Sequence, residues 1–169
     1  GVIDIVVQDE EEGTCLAKRL LSYFQGFAVK WVFAGQEVLR RSLPEDRRWG
    51  YQVRQVIETL ADQDSFIELQ RVFGRSVIIG FVRLEGRPIG ILANDCQQLG
   101  GAIDSEAADK ATRFFNLCGS FNIPILSLVD TPGFMVGPDS EKQGAVVRMS
   151  RLFSAGAKFR SPLVAIFLR

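Results

Sequence analysis

Short apolar segments that alternate with helical patterns constrain the fold of this chain more than any other feature. Two of them, 76-SVIIGFVRL-84 and 88-PIGILAN-94, are separated by 85-EGR-87, a loop of hairpin length. Two more, 123-IPILSLV-129 and 162-PLVAIFLR-169, each follow a segment of helical periodicity. Strands that alternate with helices build a largely parallel sheet covered by helices, so the sequence predicts an α/β layered domain.

Helical periodicity precedes and separates these strands. Between about Asp104 and Ser120 apolar side chains recur at helical spacing, and Asp104 or Ser105 can cap the helix N-terminus. A segment from about Asp9 to Phe24 also collects its apolar residues on one face. The predicted helices span about 9–24, 51–61, 104–120 and 140–157, and a further strand is predicted at 2–7.

Residues 25–50 follow no sustained period. The charged stretch 40-RRSLPEDRR-48 contains Pro44 and predicts a linker or an exposed arm. Its four arginines can meet a phosphate, but a solvated connector is the favoured interpretation. The chain starts at 1-GVIDIVV-7, without an initiator Met or a basic leader, and stops at an apolar strand, so we expect a piece of a longer polypeptide.

Composition excludes several classes of function. The chain has no histidine, so it has no Ser-His-Asp or Cys-His catalytic unit and no His-ligated zinc. Its 20 basic residues balance 20 acidic ones, which argues against nucleic acid or an anionic membrane as a partner. No apolar run reaches the roughly 18 residues of a membrane span. The scattered Cys15, Cys96 and Cys118 fit a reducing compartment, and Cys15 and Cys118 are predicted to be buried.

Two glycine-bearing loops, 94–103 and 130–140, follow predicted strands and are the expected site, because the carboxyl ends of parallel strands face a common crevice. The second contains 130-DTPGFMVG-137, which also fits the DxxG pattern of GTPases. That function needs an upstream GxxxxGK[ST] loop, and the dipeptide Gly-Lys does not occur in this chain. A nucleotide switch is therefore rejected.

Two kinds of chemistry remain for these loops. A hydrolase could use carboxylates, and the candidates are Asp95, Asp104, Asp130, Asp139 and Glu141. Caps and turns explain these acids better, since Asp104 and Asp139 stand at predicted helix starts and Asp130 precedes Thr-Pro. Alternatively, Gly133 and Gly137 let backbone groups approach a ligand, and amides directed at a developing oxyanion stabilise it without histidine.

The residues also carry a family resemblance. The segments 75-RSVIIGFVRLEGRPIGILAND-95 and 100-GGAIDSEAADKATRFFNLCGSFNIPILSLVDTPGFMVGPDSE-141 closely resemble the C-terminal half of biotin-dependent acyl-CoA carboxyltransferases. This is the β-subunit family of propionyl-, methylcrotonyl- and acetyl-CoA carboxylases. Residues 51–76 resemble the entry segment of that half, and residues 1–24 resemble the tail of the N-terminal half. The match covers most of the chain, and residues 25–50 are its least characteristic part.

The resemblance implies a crotonase/ClpP-like ββα spiral, incomplete at both ends. Residues 1–26 would be the tail of the N-terminal half, 27–50 a linker, and 51–169 a truncated C-terminal domain. The implied activity moves a carboxyl group from carboxybiotin, on a carrier protein, to the α-carbon of a short acyl-CoA. Backbone oxyanion holes and positioning would carry this catalysis, which suits a chain without histidine.

The resemblance also implies site residues. Carried onto this sequence, Pro132, Gly133, Phe134, Met135 and Gly137 bind biotin, with the backbone at Phe134 as its hydrogen-bond partner. The neighbouring Gly100, Gly101 and Ala102 shape the pocket. The family's biotin oxyanion amides follow the position of Arg169, and its acyl-CoA oxyanion hole lies in the N-terminal half. We therefore expect the catalytic groups to lie mostly outside this chain, and the chain alone to be inactive.

The implied partners are a biotin carboxyl carrier protein with its biotin carboxylase, the acyl-CoA, and further copies of the chain in a trimer or hexamer. No metal, nucleic acid or membrane is predicted, and the expected location is the cytoplasm, or the mitochondrial matrix in a eukaryote. Two other interpretations stay open. One is a biotin-dependent acyl-CoA decarboxylase subunit, and the other is a non-catalytic piece that completes an oligomeric interface.

Overall fold

The computed structural model describes residues 1–33, 35–44, 46 and 49–168. Within those residues the helices are α1 Glu10–Ser22, α2 Leu39–Ser42, α3 Val53–Leu60, α4 Ser105–Ser120, α5 Pro138–Lys142 and α6 Ala145–Lys158. The strands are β1 Ile67–Leu69, β2 Val77–Leu84, β3 Arg87–Asn94, β4 Ile125–Val129 and β5 Leu163–Phe167. Single 3-10 turns cover Gln36–Val38 and Leu99–Gly101. None of the described helices is both long and apolar enough to cross a bilayer.

The five strands form one sheet in the order β1-β2-β3-β4-β5. The pairs β1–β2 and β2–β3 are antiparallel, whereas β3–β4 and β4–β5 are parallel. The sheet is therefore mixed. The largely parallel sheet that the sequence predicted is wrong in this respect. The reason lies in the connections, because a hairpin returns the chain antiparallel while a helical crossover through α4 or α6 returns it parallel.

The β2–β3 hairpin has a two-residue turn, since Leu84 pairs directly with Arg87. Both turn residues have positive φ, 51° at Glu85 and 75° at Gly86, as a type I′ turn requires. The Asp62 carboxylate accepts their two N–H groups at 2.9 and 2.7 Å. The acidic segment 62–65 is thus a support for this hairpin.

β2 is buried on both faces, which explains why it is a continuous apolar run, whereas the residues of β5 are exposed. Ile79 and Phe81 of β2 pack on one side, in a cluster with residues of α4 such as Phe114. Ile78 and Val82 face the other side and pack with residues of α3. Tyr23, directly after α1, joins the first cluster, and its ring centroid lies 5.8 Å from that of Phe81.

Helix boundaries follow capping and glycine chemistry. The side chains of Asp9 and Asp104 accept N–H groups of Glu12 and Ala107, both at 2.8 Å, which makes them the N-caps of α1 and α4. The single helix predicted at 140–157 is two helices, because Gly144 has φ +71° and interrupts the turn.

Two further predictions are corrected or limited by the structure. Residues 2–7 form no strand, and their contact with the rest of the chain includes the Asp4 carbonyl, which accepts the N–H of Gln70 at 2.7 Å. In the charged stretch, Arg40 and Arg41 are exposed in α2, while Arg47 and Arg48 lie outside the described residues, as does Arg169 at the end of the last predicted strand.

The cysteines provide a test of this packing. Cys118 is buried, and burial raises the pKa of its thiol to about 12. Cys15 is exposed, contrary to the prediction, because α1 buries none of its side chains fully. We expect a maleimide at neutral pH to modify Cys15 in the native protein and Cys118 only after denaturation, since the thiolate is the reactive form. Peptide mapping by mass spectrometry measures this, and rapid native labelling of Cys118 would contradict the packing described.

Candidate functional site

The two predicted loops lie side by side at the carboxyl ends of β3 and β4. Ile103 and Phe134 form an isolated parallel bridge between them. The N–H of Ile103 donates to the Gly133 carbonyl, and the N–H of Met135 donates to the Ile103 carbonyl, both at 2.9 Å. The structure therefore brings the two glycine-bearing loops together, as their positions after strands predicted.

Asn94, at the end of β3, fixes the spacing of the loops. Its side-chain amide donates to the Gly101 carbonyl at 3.3 Å, and its side-chain oxygen accepts the N–H of Asp130 at 3.2 Å. Gly101 has φ +81°, and a Cβ there would collide with the carbonyl oxygen of Asp130. Sequence reasoning missed Asn94, although a buried amide at the end of an apolar strand was an available signal.

The backbone of Phe134 is the open part of the site. The bridge uses the flanking Gly133 carbonyl and Met135 N–H, so the N–H and C=O of Phe134 point to the other side. In the part of the chain that the structure describes, neither group has a hydrogen-bond partner. A half-buried loop that leaves one amide and one carbonyl unpaired is suited to receive a polar ligand.

The loop keeps this shape through local contacts. The Thr131 hydroxyl accepts the N–H of Gly133 at 3.0 Å and donates to its carbonyl at 3.2 Å. Gly133 and Gly137 have φ +120° and +124°, conformations that L side chains rarely adopt. No atom lies within 4 Å of a Cβ built at either glycine. Apart from each glycine's own chain neighbours, the space on the side-chain side of these two glycines is therefore open.

The other predicted site residues differ in how far they are exposed. Pro132 is exposed and Met135 is half-buried. The Phe134 ring packs edge-on against Phe153 of α6, with centroids 5.4 Å apart and an interplanar angle of 61°. On the neighbouring loop Gly100 is exposed, whereas Ala102 is buried and accompanies Gly101 at the base.

Three of the five candidate carboxylates are occupied as a cap or in ion pairs, whereas Asp130 is buried directly after β4 and Glu141 is exposed in α5. Asp104 caps α4, and Asp139 lies in the first turn of α5, 3.5 Å from Lys142. Asp95 is buried and paired with Arg54. No group of three or more His, Cys, Asp or Glu side chains among the described residues is arranged to hold a metal ion. Backbone groups are thus the better candidates for chemistry at this edge.

This pair of loops belongs to a chain that fits one family along its whole length. Residues 1–169 match the family model described as "Carboxyl transferase domain". The chain belongs to the carboxyl transferase domain family. It is 35% identical over 186 aligned residues to the propionyl-CoA carboxylase beta chain of Saccharopolyspora erythraea, an alignment that covers 100% of this chain and 34% of that protein.

Solved structures agree with this assignment. A single-chain, multi-domain long-chain acyl-CoA carboxylase superimposes with a TM-score of 0.98 at 47% identity, covering 100% of this chain and 17% of that one. The transcarboxylase 12S subunit superimposes with a TM-score of 0.88 at 32% identity, covering 98% and 34%. The predicted crotonase-like α/β fold is confirmed. The chain spans about a third of the length of the curated relatives it matches.

A buried ion cluster anchors the first loop of the carboxyl transferase domain. Arg54 of α3 donates to Asp95 at 2.7 Å and forms a bidentate pair with Glu68 of β1 at 2.9 and 2.7 Å. These hydrogen bonds, that to Glu68 above all, raise the pKa of Arg54 above its usual value. Asp95 also accepts the N–H of Gln97 at 3.1 Å. The start of the loop is therefore tied to two elements distant in sequence.

A second buried cation, Lys110, binds the segment that leads into β2. The Lys110 ammonium of α4 donates to the carbonyls of Phe73 and Val77 at 2.9 and 2.7 Å and to that of Gly74 at 3.4 Å. Burial lowers its pKa to about 8. In the sequence Lys110 is one polar residue of a predicted helix. Nothing there indicated that its ammonium group binds these carbonyls.

Proposed function

We propose that this chain is part of the carboxyltransferase component of a biotin-dependent acyl-CoA carboxylase. The reaction would move the carboxyl group of carboxybiotin to the α-carbon of an acyl-CoA. The similar proteins support this, since they include a propionyl-CoA carboxylase beta chain and a long-chain acyl-CoA carboxylase. Those names include both short and long acyl groups, so they do not specify the length of the acyl chain that this protein would use.

The unpaired backbone of Phe134 is the observation that carries the assignment of the site. Pro132, Gly133, Phe134, Met135 and Gly137 would bind the biotin group, whose bicyclic ring has both a ureido carbonyl and ureido N–H. An amide N–H and a carbonyl side by side fit that pair of groups. The open space in front of Gly133 gives the ring room to approach.

The chain's own contribution to the reaction would be positioning. A bound carboxybiotin supplies the carboxyl group. The Phe134 backbone would hold it in place, and Gly100, Gly101 and Ala102 would keep the second loop at the right distance. Preorganised backbone dipoles of this kind stabilise developing negative charge without a side-chain base, which agrees with a chain that has no histidine.

The proposal includes partners. A biotinylated carrier protein and its biotin carboxylase would deliver the carboxyl group. The whole protein would assemble from several copies, as the transcarboxylase 12S subunit, whose structure is described as a hexamer, does. Residues 1–26, 27–50 and 51–169 would be the tail of one carboxyltransferase half, a linker and part of the next. The three free thiols fit a reducing location, such as the cytoplasm or a mitochondrial matrix.

Reconstitution tests this function. The full-length protein, combined with radiolabelled carboxybiotin on its carrier, is expected to consume the label when acyl-CoA is added and to form a carboxylated acyl-CoA. Omission of the acyl-CoA is the matched control. If propionyl-, decanoyl- and palmitoyl-CoA all leave the label on the carrier, the proposed function is wrong.

A further inference from the structure

A cavity of about 420 Å³ lies between the sheet and the helices α4 and α6. Side chains such as Leu92 and Val129 form its floor on the sheet, and Phe115 and Leu152 form its opposite wall. Nearly all its lining groups are apolar, and its volume falls within the range of small-ligand pockets. A space of this kind is suited to a flexible hydrocarbon and not to a polar group.

Small residues form part of the cavity wall, and Gly156 is one of them. It lies in the interior of α6, where glycine is less favourable than alanine by about 1 kcal/mol. Its backbone does not require glycine, because its φ is not positive, and a Cβ built there meets no atom within 4 Å. Space is therefore open at this point of the cavity wall, and a side chain there would enter it without a clash at its Cβ.

The mouth of the cavity adjoins the loop assigned to biotin. Thr131 and Ile103 line it, and these residues also hold the Phe134 loop in place. Phe153 lines the cavity as well and packs against the Phe134 ring. The polar groups of Asn94 and Thr131, which face this end, are already bonded to the two loops. The loop and the cavity therefore share a wall.

We infer that this cavity binds the hydrocarbon chain of the acyl-CoA substrate, an inference that rests on the proposed function. The acyl carbons nearest the thioester lie at the mouth beside Thr131, and the remainder of the chain extends between the sheet and α6. A propionyl group fills only a small part of such a volume. The cavity therefore assigns medium or long acyl chains to this enzyme, and Gly156 sets their length.

A graded series at Gly156 tests the assignment in the full-length protein. Gly156→Ala, Gly156→Val and Gly156→Leu fill the cavity progressively, and the alanine variant also favours the helix. The readout is the ratio of kcat/KM for palmitoyl-CoA to that for propionyl-CoA. We expect this ratio to fall with side-chain size, by at least about tenfold for leucine, because excluding even one methylene from an apolar pocket has that effect.

Ser154→Leu is the matched control, since Ser154 is exposed on the same helix. It should leave the ratio unchanged. The dissociation constant of palmitoyl-CoA, measured by calorimetry without the carrier, provides a second readout. If wild-type protein transfers no carboxyl group but palmitoyl-CoA binding weakens along the series, the proposed function fails and the cavity assignment stands. A ratio and a dissociation constant that do not change from glycine to leucine overturn the assignment.

Discussion

Gly133→Ala is expected to lower the rate of carboxyl transfer by about 100-fold, the effect of losing one oxyanion-type donor. Gly133 has φ +120° and stands next to the unpaired Phe134 backbone. An alanine cannot adopt that conformation without strain, so the loop reorganises and the Phe134 amide leaves its position. The added methyl also projects into the space that the proposed biotin ring occupies. Transfer from carboxybiotin on the carrier, at saturating acyl-CoA, measures the loss.

Gly144→Ala is the matched control for this variant. Gly144 also has a positive φ, +71°, and open space around a built Cβ, but it lies between α5 and α6, beyond the loop. Both variants strain the backbone and should lower thermal stability, and only Gly133→Ala should abolish most of the transfer. Equal losses of transfer in the two variants would mean that backbone strain alone, and not the site, explains the effect.

Arg54→Met is expected to lower the free energy of unfolding by about 3–5 kcal/mol, because it removes the cation between two buried carboxylates and leaves Glu68 only the exposed Arg71, at 3.7 Å. The side chains of Asp95 and Glu68 are only 3% and 10% exposed, and Arg54 is hydrogen-bonded to both. Urea denaturation measures the change. Adding Asp95→Asn to this variant should recover part of the loss, since it removes the buried negative charge that has lost its ion pair with Arg54.

Arg113→Met provides the comparison. Arg113 pairs with Asp4 at 2.8 Å, but these side chains are 51% and 41% exposed. An exposed pair contributes less than about 1 kcal/mol, so this substitution should be nearly neutral. Similar costs for both variants would refute the interpretation of the Arg54 cluster as a buried anchor of the first loop.

Strands and helix starts were the most predictable parts of the fold. The runs at 76–84 and 88–94 became β2 and β3 because they are buried on both faces, and Asp104 caps α4 because its side chain reaches the N–H of Ala107. The strand predicted at 2–7 failed for a different reason. The strand at this edge of the sheet is the short β1, residues 67–69, and the Asp4 carbonyl bonds to the N–H of Gln70, just beyond β1, instead of forming a ladder with it.

Within the site, the sequence predicted the two loops from their local residue types, but it did not predict the contacts between residues far apart in the chain. Gly133 and Gly137 signalled an open backbone because glycine permits positive φ, which the structure has at both positions. Nothing local marks Arg54 as the partner of Asp95, since 41 residues separate them. Asn94 and Thr131 likewise have their roles only because the ends of β3 and β4 are neighbours.

The sequence by itself determined the layered α/β class, the place of the two loops after strands, and the exclusion of histidine chemistry, because periodicity, glycine and residue type act locally. Only the tertiary structure decided that Ile103 bridges Phe134, that the Phe134 backbone is left unpaired, and that a cavity opens beside Gly156. Those features depend on which strands are neighbours and how two helices pack across them. Such contacts join residues far apart in the chain, so no local pattern specifies them.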